Sequence, residues 1–97
     1  MYKSLSIDVF TETLISHIHE VGKFKTIDLI DAEHKLCLYI HLSYIKSLCL
    51  TLPQEIIKQV LDNLNIEEPL IKSILVKTLR DVLEDKKKVI TFKRTIN

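Results

Sequence analysis

LPQEIIKQVLDNLNIEEPLIKSILVKTLRDVL, residues 52–83, decides the fold. Two apolar stripes lie in it back to back. Leu52, Ile56, Ile57, Val60, Leu61 and Leu64 make the first. Leu70, Ile71, Ile74, Leu75, Leu79, Val82 and Leu83 make the second. Each recurs near every fourth residue, which places its apolar side chains on one helical face. Start signals accompany both. Thr51 and Gln54 fit a capping box, and Pro53 falls in the first turn, where a missing N–H costs nothing. Asn65 can cap the next helix, with Glu67 and Glu68 where the helix dipole favours negative charge and Pro69 again in the first turn. The spacing predicts helices over 52–64 and 67–85.

Two more helices are expected upstream. One spans 8–21, with Ser6 or Asp8 as cap, Ile7, Phe10, Leu14, Ile18 and Val21 on one face, and Gly22 as a left-handed stop. The next spans 27–48, with Thr26 or Asp28 as cap and Phe24 closing its start as a hydrophobic staple. From Leu36 onward this helix is apolar nearly all round, as suits a central element touched on several sides. A strand over KLCLYIHL is the competing assignment, but that run lacks period-2 alternation and bounding turn residues.

Composition agrees with an all-α fold. The chain has 97 residues, enough for one domain, and 46% of them are apolar. Gly22 is the only glycine and Pro53 and Pro69 are the only prolines, which argues against glycine-rich turns and phosphate-cradling loops. No G-x-S-x-G or H-E-x-x-H signature occurs, so no enzyme and no cofactor are expected. Cys37 and Cys49 are 12 residues apart, about 18 Å along one helix and too far for a disulfide. Buried free thiols in a reducing cytoplasm are expected. The N-terminus shows no signal peptide, and residues 36–52 are too short and too polar for a membrane span.

Net charge is +1, unevenly spread. Residues 1–84 carry 9 Lys and Arg against 12 Asp and Glu, whereas residues 85–97 carry five basic residues against Asp85. The chain therefore divides into a helical domain, 1–85, and a basic tail, 86–97. In the tail Lys86, Lys87, Lys88, Lys93 and Arg94 surround Phe92, a composition able to hold phosphate or an acidic partner and also that of a solvated appendage. Its backbone has three options: extending the last helix, pairing with a partner, or staying mobile.

His34, Cys37 and His41 fall at i, i+3 and i+7. Zinc accepts such donors, with Cys49, His17 or His19 as a possible fourth, but the spacing is not that of any dense zinc module. The same histidines can couple protonation to folding or pairing if buried. A helix whose contact face merely carries two His and a Cys is the plainer explanation.

The stretch LTLPQEIIKQVLDNLNIEEPLIKSILVKTLRDVL resembles the AriR/YmgB family of small enterobacterial biofilm and acid-resistance regulators. The matching features are IIKQVLDNL, the acidic break NIEE and the closing VKTLRDVL, with TETLISHIHEVGKFKTIDLID as a looser counterpart of the family's first helix and connector. The resemblance implies an α-helical homodimer that connects two-component signalling to biofilm and acid response, and it implies no catalytic residue. The basic tail departs from the family pattern.

These readings converge on a small bundle of about four helices completed by homodimerisation. The expected seam is Leu38, Leu42, Ile45, Ile57, Leu61, Ile71 and Leu75. The expected partners are a second copy and a signalling protein, with no membrane. A nucleic-acid-binding regulator using the tail, and an immunity or inhibitor protein of a mobile element, remain the alternatives.

Overall fold

The computed structural model describes the backbone of residues 2–96 and the side chains of residues 7–87. It is an all-α bundle, with no strand among the described residues. Four helices follow in order: α1 (Tyr2–Gly22), α2 (Ala32–Thr51), α3 (Gln54–Asp62) and α4 (Pro69–Ile96). A 3-10 turn, Thr26–Ile30, joins α1 to α2. α1 packs chiefly along α2, and α4 touches α1, α2 and α3, so α4 is the common backing of the bundle.

The apolar stripes account for the core. Leu14 and Val21 of α1, Leu38, Leu42, Ile45 and Cys49 of α2, and Leu52 and Ile57 at the start of α3 meet Ile71, Leu75, Leu79, Val82 and Leu83 of α4. On α2 and α4 these side chains recur at three- and four-residue steps, the condition for one continuous face. Leu52, outside any helix, is 1% exposed and seals the corner between α2 and α3. KLCLYIHL is helical throughout.

The helix boundaries differ from expectation in ways that have physical causes. α1 starts at Tyr2 rather than near residue 8. It closes with three-residue bonds, Lys23 N–H to the Glu20 carbonyl at 3.2 Å and Phe24 N–H to the Val21 carbonyl at 3.1 Å. Gly22 is not left-handed. Its lack of a side chain instead admits Ile66, whose Cδ1 would lie 3.3 Å from an added Cβ.

The helix expected over 27–48 is split. Two aspartates three residues apart compete to open it. Asp28 accepts from the Lys25 N–H at 2.9 Å and closes the 3-10 turn. Asp31 is the N-cap of α2 and accepts from the His34 N–H at 3.3 Å. Phe24 is half-buried against the core, near that start.

The capping box at Thr51 does not form. Proline disfavours the α conformation in the residue before it, and Leu52 is extended, with ψ 150°. Thr51 therefore stays in the last turn of α2, where its hydroxyl donates to the Leu48 carbonyl at 2.8 Å. Pro53 is the N-cap of α3 and supplies no side-chain bond. Asn65 likewise lies in the connector. α4 begins at Pro69, with the Glu68 carbonyl accepting from the Lys72 N–H at 2.9 Å. The Glu68 carboxylate reaches back to Thr26, accepting from its N–H at 3.2 Å and its hydroxyl at 2.9 Å, and so ties the two connectors together.

α4 does not stop near residue 85 but continues through 28 residues to Ile96. The sequence after Leu83 lacks an apolar stripe, but it also lacks Gly and Pro, and Glu and Lys are good helix formers. The expected tail is thus a continuation of α4 in its backbone.

Candidate functional site

The expected site residues fall into three groups, and the structure treats each differently. The residues expected to form the dimer seam lie in the chain's own core. Leu38, Leu42, Ile45, Ile57, Ile71 and Leu75 are buried within one copy, and Leu61 is half-buried against them. The α4 stripe that needed cover finds it in α1, α2 and α3, so those side chains offer no surface to a partner.

The basic residues divide. The ammonium of Lys86 donates to the Leu50 carbonyl at 3.0 Å and the Leu52 carbonyl at 2.9 Å. These carbonyls belong to the end of α2, where the helix dipole is negative and backbone acceptors lack helical donors. Lys86 is therefore a structural cation joining α4 to the α2 terminus. Lys87 is exposed. Lys88, Lys93 and Arg94 lie outside the residues whose side chains are described.

The His34, Cys37, His41 trio is not gathered. His34 is exposed, and its Nδ1 lies 2.6 Å from Asp31 Oδ2, which makes it part of the helix start. That bond and the His34 N–H hold the Asp31 carboxyl below its usual range. Cys37 is exposed and free. His41 instead meets His17 of α1, with Nδ1 atoms 3.0 Å apart. Phe24 lies edge-on to both His34 and His41, with centroids 6.5 Å and 6.4 Å away. Among the described residues, no three His, Cys, Asp or Glu side chains are gathered to hold a metal ion. His17 was only one of several candidates in the sequence, because pairing across two helices leaves no trace in local spacing.

The sequence reasoning missed a second face of α2. Leu36, Tyr39, Ile40, Tyr44 and Leu50 are large, apolar or aromatic, and 46–66% exposed. Ser43 and Ser47 lie between them, and Ile40, Ser43, Tyr44 and Ser47 line a shallow hollow of about 300 Å³. Within residues 36–50 the only formally charged side chain is Lys46, which a helix of 3.6 residues per turn places at the edge of this face. The signal was present as all-round apolarity: α2 carries a core stripe and an outer stripe together.

A second apolar depression, about 510 Å³, runs between α1 and α3 and is lined by Ile7, Ile15, Ile18, Ile56, Val60 and Leu64 among others. No helix among the described residues is long and apolar enough to cross a membrane. Comparison with known protein families, curated proteins and solved structures returns no match to this chain.

Proposed function

We propose that this chain is a non-enzymatic regulatory adaptor that works as a homodimer, paired through the outer face of α2. The observation that carries the proposal is the uncharged stripe of Leu36, Tyr39, Ile40, Ser43, Ser47 and Leu50, exposed along the side of α2 that faces away from the core. A surface of this kind marks an association site. A second copy is the occupant it suits. A charged partner would be desolvated against a stripe that offers it hydroxyls but no opposite charge. Two copies related by a two-fold axis set the same uncharged face against itself, the commonest closed arrangement. Ser43 and Ser47 are small and sit midway along the stripe, where crossing helices approach each other most closely. The resemblance of residues 50–84 to small biofilm and acid-resistance regulators supports a connector role in bacterial signalling for the resulting dimer.

Sedimentation equilibrium of the full chain in reducing buffer tests the pairing, since thiol reagent removes any disulfide through Cys37. A dimer is expected at tens of micromolar. Ile40→Asp should give a monomer with unchanged helicity, because Ile40 lies outside the core. A wild-type monomer at high micromolar concentration, or a dimer indifferent to Ile40→Asp, would overturn the proposal.

A further inference from the structure

His17 and His41 come from different helices, and their Nδ1 atoms approach to 3.0 Å. The rings are tilted by 56°, so the nitrogens approach without one ring stacking on the other. Aromatic neighbours hold both. Tyr44 stacks on His17, with centroids 5.1 Å apart and planes within 8°. Phe24 bears on His41 edge-on. A neutral imidazole has one N–H and one bare nitrogen. One ring donating its Nδ1–H to the bare Nδ1 of the other satisfies the contact, and when both rings carry their proton on Nε2 the two bare nitrogens are left together and open to a cation.

We propose that His17 and His41 form a two-histidine clamp for a divalent transition-metal ion of the imidazole-preferring group, Zn²⁺, Cu²⁺ or Ni²⁺. Imidazole nitrogens bind zinc at about 2.0–2.1 Å. Two nitrogens 3.0 Å apart then subtend roughly 94° at the ion, close to the right angle of an octahedral or tetragonal shell. Two positions come from protein and the rest from water, consistent with the absence of a third gathered donor among the described residues. Glu20, one turn after His17, is paired with Lys23 at 3.2 Å. An ion so held would bridge α1 to α2, the pair of helices that packs most extensively.

The test is calorimetric titration of the full, untagged chain with Zn²⁺ at pH 7.5, followed by thermal melts with and without the ion. One ion per chain is expected, with a rise in Tm that saturates alongside binding. His17→Gln and His41→Gln should each abolish both effects, whereas His19→Gln and His34→Gln should leave both intact. Affinity should fall as the solution is acidified, because protons compete with the ion for the ligand nitrogens. A second measurement on the unaltered chain guards against variants that misfold. Added Cu²⁺ should broaden the imidazole NMR signals of His17 and His41 before those of His19 and His34. Absence of saturable binding, binding that survives His17→Gln, or broadening centred on His34 would each overturn the proposal.

Discussion

Cys37 and Cys49 lie on the same helix in opposite surroundings. Cys49 is fully buried, and burial pushes its thiol up to about 11, whereas Cys37 is exposed. The thiolate is the reactive species. Native protein at pH 8 should therefore show one fast thiol with an alkylating reagent, at Cys37, and a second only after denaturation. Equal rates in the native state would mean that the interior face of α2 is misassigned. Folding favours the neutral Cys49 thiol, so its contribution is complete below the ordinary thiol value of 9.0 and is lost as pH rises toward 11. The loss is of order 2 kcal/mol, and Cys49→Ala should flatten this alkaline fall in a pH series of denaturation midpoints. The sequence led us to expect two buried thiols. Yet positions twelve apart on a 3.6-residue helix stand about a third of a turn from alignment, so a single core face could not hold both.

At the scale of the element, the starts of the helices show what local signals can and cannot determine. Asp31 caps α2 and Thr51 caps nothing. Asp31→Ala should lower the urea midpoint through loss of the cap, whereas Thr51→Ala should stay within about 0.5 kcal/mol, both read at neutral pH. A larger cost at Thr51 would restore the capping box that the structure lacks. The Asp31 carboxyl is held below its usual range first by the His34 ring. Its stabilisation is present above the ordinary carboxylate pKa and is lost as pH falls through the lowered one. The difference between wild type and Asp31→Ala should accordingly shrink as the solution is taken toward pH 3. Thr51 and Asp31 fit the same statistical rule. What separates them is the following residue pair: Pro53 forces Leu52 to be extended and detaches Thr51 from α3, while no proline follows Asp31. The end of α4 was misplaced for a related reason. The apolar stripe stops at Leu83, but a helix already backed by three others can continue on propensity alone, and Lys86 anchors that continuation to the end of α2.

For the whole molecule, the question is which leucines hold the fold and which would hold a second copy in the proposed dimer. The bundle itself was legible, because the stripes of α3 and α4 each have one apolar face and one polar face. α2 was not, because Leu38, Leu42, Ile45 and Cys49 form one helical stripe and Leu36, Ile40, Ser43 and Ser47 form another. A one-dimensional pattern cannot say which of two such stripes meets α4. The packing answers it: Leu38, Leu42, Ile45 and Cys49 are the buried stripe, and the proposed pairing accordingly uses the outer one. Two substitutions separate these roles. Leu75 is fully buried on α4, so Leu75→Ala should destabilise the chain by about 2–5 kcal/mol through lost burial and the cavity left behind. Leu36 is 61% exposed, so Leu36→Ala should change the stability of an isolated copy by less than about 0.5 kcal/mol. Thermal melts across a hundredfold range of protein concentration read both effects. Association stabilises the folded state by mass action, so the wild-type Tm should rise with concentration. Leu75→Ala should lower the whole line and keep its slope. Leu36→Ala should leave the dilute end in place and flatten the slope. A steep slope that survives Leu36→Ala but vanishes with Leu75→Ala would mean that the copies meet through the α4 stripe after all, with the bundle opening to let them do so.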